Sequence, residues 1–246
     1  NKSGPKHSTS MTQKLGILGI VPARGGSKGL PDKNLKLLAG HSLIAHAADT
    51  ARQAEIFDRL ILSTDSNDIA TEGRRSGLEV PFMRPPHLAT DDAPMFPVIC
   101  HAIEALESTG WSPDIVVLLQ PTSPLRQPGH IRTAVDLLQT TEADAVVSVV
   151  EVPRHLSPDY LMRVENDNLV PFLHEGEKVI RRQDTRPAYV RDGTVYAFWR
   201  KTIQRYSSIY GAHCHAYVIP ASASVTIDTE SDWTQAERML QMQSRA

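Results

Sequence analysis

The sequence predicts an α/β fold built on a mostly parallel sheet, and three observations carry that expectation. Short apolar runs recur between Leu15 and Val150, and they are continuous rather than alternating, the mark of strands buried on both faces. Segments with helical spacing separate them, as βαβ units require. The loops richest in glycine, proline and charge come straight after the runs, at the strand ends where open α/β sheets bind ligands.

Residues 15–21 read as a buried strand, and 41–54 have helical spacing with Leu43, Ala47 and Ala51 on one face. Residues 59–64, Arg-Leu-Ile-Leu-Ser-Thr, give a second strand, followed by a polar helix over 65–77 that Gly77 stops. A short strand is expected over 79–83 and a helix over 95–108. Ile-Val-Val-Leu-Leu at 115–119 is the clearest buried strand. Pro128 marks the start of a helix over 128–140, and Ala-Val-Val-Ser-Val-Val at 145–150 is a further strand. The rhythm breaks over 153–189, which is rich in Pro, Asn, Asp and charge and reads as hairpins inserted into the main domain. Strands at 193–199 and 215–219 and a closing helix at 232–243 complete it. The loops after Val21, Thr64 and Leu119 are expected to line one crevice.

The 246 residues suffice for one large α/β domain, or one domain with an appendage. Residues 1–13 are expected to be a tag remnant or disordered tail with the native start at Met11, and 14–246 to form the domain, with an insert at about 153–190. Hydrophobic content of 41% and charged content of 22% are ordinary for a globular protein. A net charge of −2 gives no global positive field, so no nucleic-acid partner is expected and any anion site must be local. No apolar run is long enough to span a bilayer, so no membrane partner is expected either. Cys100 and Cys214 form neither a CxxC pair nor a disulfide framework, which fits a reducing cytosol and a cytoplasmic location.

One segment carries most of the chemistry. Pro22-Ala23-Arg24-Gly25-Gly26-Ser27-Lys28-Gly29 follows the first strand and runs on through Leu30-Pro31-Asp32-Lys33-Asn34. Glycines let backbone N–H groups approach an anion, and the lysines and Arg24 supply charge, which is how an α/β protein builds a polyphosphate site. The spacing is neither that of a Walker A loop nor Gly-x-Gly-x-x-Gly. An ordinary strand-to-helix turn is the plain alternative. Three more segments stand out: Gln120-Pro121-Thr122-Ser123-Pro124-Leu125-Arg126; Arg181-Arg182-Gln183-Asp184 followed by Asp192-Gly193-Thr194; and Ile227-Asp228-Thr229-Glu230. His213-Cys214-His215 borders a strand, lacks further ligands and reads as structural.

Together these segments resemble the acylneuraminate cytidylyltransferase family, the CMP-sialic acid synthetases and their relatives for legionaminic, pseudaminic and other nine-carbon 2-keto sugar acids. The resemblance runs from about Leu15 to Leu240. It implies a Rossmann-like three-layer nucleotidyltransferase domain, glycosyltransferase-A-like, with a small inserted hairpin region for dimerisation. It implies a reaction that joins CTP to the sugar acid and releases pyrophosphate in a homodimer. Arg24, Ser27 and Lys33 are then expected to hold phosphates, with Ala23, Gly25 and Gly26 completing the cradle, Asn34 beside the nucleotide and Arg84 near the base. Gln120 and Arg182 are the expected sugar contacts, with Arg181, Gln183 and Asp192 beside them. Arg24, Lys33, Gln120 and Asp228 form the expected catalytic set, and Asp228 the expected ligand of a divalent cation, Mg²⁺.

The chain departs from the family pattern twice. It carries Thr226-Ile227-Asp228 where many relatives have Asp-Ile-Asp, and Asp192-Gly193 where Asn-Gly is usual. Asp228 has a plain alternative as the N-cap of the last helix. An aspartate restored at position 226 is expected to be tolerated or activating. Asp192 adds negative charge near an anionic sugar, or pairs with Arg191 or Arg182. Arg181 and Arg182 have their own alternative as a solvated face or a dimer salt bridge. Two other readings stay open: a nucleotidyltransferase for another nucleotide or sugar, such as GTP with a sugar phosphate, and a non-catalytic nucleotide-binding homodimer.

Overall fold

The computed structural model describes residues 14–174 and 181–243, so the tail expected at 1–13 lies outside the described residues, as does part of the insert. In chain order the elements are β1 (Ile17–Pro22), β2 (Leu37–Leu38), β3 (His41–Ser42), α1 (Leu43–Ala54), β4 (Arg59–Ser63), α2 (Asn67–Arg75), α3 (Met95–Glu107) and β5 (Ile115–Leu118). There follow α4 (Pro128–Thr140), β6 (Ala145–Glu151), β7 (Met162–Glu165), β8 (Asn168–Pro171), β9 (Tyr189–Trp199), α5 (Arg200–Tyr206), β10 (Cys214–Val218) and α6 (Glu230–Gln243).

Six strands form one sheet in the order β10-β6-β9-β5-β1-β4. β1 pairs in parallel with β4 and β5, and β10 with β6, whereas β9 runs antiparallel between β5 and β6. The fold is therefore the mostly parallel α/β sheet that the apolar runs predict. Along β1, Leu18 and Ile20 join α3 and α5 on one face, while Ile17 and Val21 join α1 and α4 on the other. The strands are apolar throughout because both faces are covered. Ser42 and Ser66 start α1 and α2 by accepting from the N–H groups of Ala45 and Ile69, caps worth about 1 kcal/mol each.

The structure corrects the expected elements in three places. Residues 79–83 form no strand: one isolated bridge, Ile61 to Glu79, is all that pairs there among the described residues. β9 begins at Tyr189 rather than 193, and the short helix α5 follows it directly. The insert is a single described hairpin, β7–β8, paired with itself and not with the main sheet. A lone hairpin buries little, and Val164 and Leu169 on it are 71% and 67% exposed.

The base of the insert is tied by Asp159. Its carboxylate, almost fully buried, accepts from the Arg186 backbone N–H at 2.8 Å and from the Arg186 guanidinium at 2.5 Å. These bonds, the guanidinium's first, hold the carboxyl at about 2, below its ordinary 3.8. Because the folded-state value is depressed, the stabilisation is present above the ordinary value and is lost as pH falls toward 2. Asp159→Asn is therefore expected to lower thermal stability at neutral pH, with the gap from the wild type closing between pH 4 and pH 2. A gap that persists unchanged across that window on thermal unfolding would contradict this role.

Candidate active site

The loop after β1 is clamped before any ligand is considered. Ala23 extends the strand pairing by donating to the Ser63 carbonyl at 3.0 Å, and its side chain is buried under the loop. Gly25 donates its N–H to Asp65 Oδ1 at 2.9 Å, and Asn34 Nδ2 donates to the Arg24 carbonyl at 3.1 Å. Gly29 approaches the chain near the C-terminus so closely that a Cβ there would run into the Asp228 carbonyl oxygen. Lys33 completes that junction: its Nζ donates to the Ile227 carbonyl at 2.8 Å and to Asp228 Oδ1 at 3.0 Å.

These contacts shape a cleft of about 550 Å³ at the carboxyl ends of β1 and β5. Arg24, Ser27, Lys28, Lys33 and Asn34 form one wall, Gln120 and Thr122 another, and Asp228 stands at the side. The third wall comes from Arg84 and the loop through Asp91 to Met95. Sequence reasoning gives that wall to the loop after Thr64. In the structure that loop lies behind instead, with Asp65 bracing Gly25 and Ser66 capping α2. Gly25 and Gly26 line a smaller hollow on that rear side, and Gly25's N–H is already engaged.

The charge balance of the cleft is positive but provisionally paired. Arg24 meets Asp91 at 2.5 Å, and Lys28 reaches the same carboxylate. The Lys28 hydrogen bond first, and Arg24 beside it, hold the Asp91 carboxyl below the usual range. Arg84 is buried beneath, donating from Nε to Ser63 Oγ at 3.1 Å and from Nη2 to the Ser63 carbonyl at 2.6 Å. Burial pushes its guanidinium down to about 10, with Asp65 nearby acting in the opposite direction.

Asp228 is not the helix cap. Thr229 Oγ1 accepts from the Asp232 N–H at 3.3 Å, and Asp232 Oδ2 accepts from the Thr229 N–H at 2.7 Å, a reciprocal capping box. The Asp228 side chain, 70% exposed, is left facing the cleft beside Lys33, whose side chain is 13% exposed. Groups of three or more His, Cys, Asp or Glu side chains arranged to hold a metal do not occur among the described residues.

Asp192 lies elsewhere than its sequence context suggests. It is buried, and Arg191 is not its partner: its carboxylate accepts from Ser148 Oγ at 2.5 Å, Thr194 Oγ1 at 2.5 Å and Ser224 Oγ at 3.0 Å. Arg191 instead bonds the Tyr210 hydroxyl. Thr226 Oγ1 donates to the Asp192 carbonyl at 2.7 Å, so the two family departures touch each other. Arg181 is exposed and paired with Asp184 at 3.0 Å, and Gln183 is exposed, so neither lines this chain's own cleft. The Arg182 side chain lies outside what the structure describes.

Sequence reasoning missed Asp65 and Asp91 as partners of the loop. It also quoted Arg126 within its motif without giving it a task.

Three comparisons with known proteins bear on this cleft. A family model described as Cytidylyltransferase matches residues 18–245. A CMP-N,N'-diacetyllegionaminic acid synthase of Legionella pneumophila is 35% identical over 94% of this chain and 98% of its own length. An N-acylneuraminate cytidylyltransferase of Streptococcus agalactiae is 33% identical over 87% of this chain, which spans only 51% of that longer protein. Among solved structures, a CMP:2-keto-3-deoxy-manno-octonic acid synthetase complexed with CTP superposes with a TM-score of 0.69 over 93% of this chain and 99% of its own, at 16% identity.

Two outcomes follow from the geometry. A triphosphate bound in this cleft would have to take Arg24 and Lys28 from Asp91, so Asp91→Asn is expected to tighten CTP binding about threefold by calorimetry, the scale of an exposed ion pair. Weaker binding would show that Asp91 helps the ligand rather than competing with it. An aspartate at 226 would set a carboxylate against the Asp192 carbonyl, so Thr226→Asp is expected to cost about 1–3 kcal/mol on denaturant unfolding, contrary to the tolerance expected above. Unchanged or increased stability would contradict that.

Proposed function

The chain belongs to the cytidylyltransferase family, and on that premise we propose that it activates a nine-carbon 2-keto sugar acid of the sialic, legionaminic or pseudaminic type with CTP, giving a CMP-sugar and pyrophosphate. The observation that supports this reading best is the cleft at the ends of β1 and β5. It gathers Arg24, Ser27, Lys28 and Lys33 on one wall, Gln120 on another and an exposed carboxylate, Asp228, beside Lys33.

In this reading the triphosphate displaces Asp91 and takes charge-assisted hydrogen bonds from Arg24 and Lys28, with the Ser27 hydroxyl adding a donor. Lys33 neutralises phosphate charge from the Asp228 side. Phosphoryl-type transfer needs positioning and charge neutralisation more than a covalent nucleophile. The sugar hydroxyl attacks the α-phosphorus and gives up its proton to water, while the bond to the β-phosphate breaks and pyrophosphate leaves. Gln120 offers amide hydrogen bonds to the sugar from the β5 side. Asp228 suits a divalent cation because its carboxylate is exposed, faces the cleft and has no capping duty, and Mg²⁺ is commonly held by one or two carboxylates plus substrate phosphates. When bound, Mg²⁺ would neutralise charge on the phosphates of the leaving group.

The reading includes a homodimer. Arg181 and Gln183 stand away from their own cleft, and the hairpin of the same insert exposes Val164 and Leu169, with Phe172 exposed just after it. A second copy would cover that apolar hairpin and receive the 181–184 segment near its sugar. A cytoplasmic setting, where CTP is made, belongs to the same reading.

The test is pyrophosphate release with Mg²⁺ and CTP across a panel of nine-carbon 2-keto acids. Release with one acid is expected, with Arg24→Ala and Lys33→Ala each lowering kcat/KM for CTP by about tenfold or more, the loss of one charged hydrogen bond. Asp228→Asn is expected to abolish the response to Mg²⁺. Release with GTP in place of CTP, or full activity of all three variants, would overturn the reading.

A further inference from the structure

We infer that Arg126 is a positioning residue for this reaction: its buried guanidinium locks the Gln120 loop to a bulge in β9, and through that bulge fixes Gln120 and Asp228 on their sides of the cleft. The inference rests on the cytidylyl-transfer reading for what the cleft does, and on the fold alone for how the parts are held.

Arg126 lies between β5 and α4 and is 4% exposed, yet it forms no ion pair among the described residues. Its Nε donates to the Thr194 carbonyl at 2.5 Å, and its Nη2 to the Gln120 carbonyl at 2.5 Å and, more weakly, to that of Gly193 at 3.5 Å. A buried cation is costly, and an apolar side chain would fill the space more cheaply, so what the guanidinium contributes is geometry. A planar fork can bridge two loops whose carbonyls have no strand partner; an ammonium cannot do so with the same rigidity. Burial pushes this guanidinium down to about 10, and Asp192 nearby acts in the opposite direction.

The bulge explains why two loops need one cation. Val147 pairs with Tyr196 and Val149 with Arg191, so one residue of β6, Ser148, stands opposite residues 192–195 of β9. The extra backbone is looped out toward the end of β5. Gly193, at φ +79°, sits so close to Gln120 that an added Cβ would lie 2.5 Å from Oε1. The Gln120 side chain therefore rests on the bulge. On its other side the Asp192 carbonyl accepts from Thr226 and its carboxylate from Ser224, in the segment that ends at Asp228. The phosphate-facing cations Arg24 and Lys28 share no bond with this assembly among the described residues, and Lys33 meets only its far end, at the Ile227 carbonyl and Asp228.

The test compares Arg126→Met, Arg126→Lys and Gly193→Ala with the wild type. Three readouts are taken: kinetics, CTP affinity by calorimetry, and the Gln120 side-chain amide signals by NMR, with thermal unfolding to establish that each variant is folded. The expected result for Arg126→Met is a fall of about a hundredfold in kcat/KM for the sugar acid, the scale of an ångström-sized misplacement, with CTP affinity within about twofold. Arg126→Lys should recover part of the loss. Gly193→Ala, with Arg126 intact, should move the Gln120 amide signals and depress the sugar constants alone. Unmoved Gln120 signals in folded variants, or equal losses for CTP and sugar, would overturn the inference. Where Arg126→Met does not fold, the other two variants decide. Where the wild type itself gives no turnover, the reaction assigned above fails, and the Gln120 signals still decide this inference.

Discussion

Two positive charges buried at the carboxyl ends of the strands constrain everything around them. Arg84 and Arg126 are 5% and 4% exposed, and each donates to main-chain carbonyls. Burying a cation this way is tolerable only if every donor finds an acceptor, so the loops that supply those acceptors cannot drift. Arg84 pins the loop carrying Asp91 to the end of β4, and Arg126 pins the Gln120 loop to β9. Local order in the cleft thus comes from polar bonds to buried charge, while the sheet below is held by apolar cover on both faces.

That arrangement leaves Arg24 and Lys28 paired at the surface of the cleft, while Lys33 also ties its frame through the Ile227 carbonyl. Arg24, Lys28 and Lys33 are held by Asp91 and Asp228, which are side chains that a polyanion can replace one for one. Exchange of one anionic partner for another keeps the desolvation cost of binding low at Arg24 and Lys33, whose side chains are 29% and 13% exposed. α6 and the apolar cluster of Leu30, Leu125, Ile227 and Trp233 keep the loop and Asp228 together while this happens.

The sheet was legible because a strand covered on both faces must be apolar at consecutive positions, as 115–119 and 145–150 are. What was not legible depends on partners distant in sequence. Nothing local in Tyr189–Trp199 says that it runs antiparallel between two parallel neighbours. α5 follows β9 without a break and is too short to show periodicity. That the loop over 24–33 lines the cleft was readable from its place after β1. Asp192 was not, because a carboxylate becomes a buried hub only where Ser148 and Ser224 arrive from other strands and loops. Asp91 likewise looks like a turn residue until Arg24 and Lys28 are brought to it.

The central claim is that this cleft recognises a triphosphate by its charge. Calorimetric titration of CTP, CMP and cytidine at low and high salt tests it most directly. The account predicts that CTP binds about a hundredfold more tightly than CMP, that cytidine binds weakest, and that the gap narrows as salt screens the phosphates. Equal affinities for the three ligands, or a gap indifferent to salt, would contradict it.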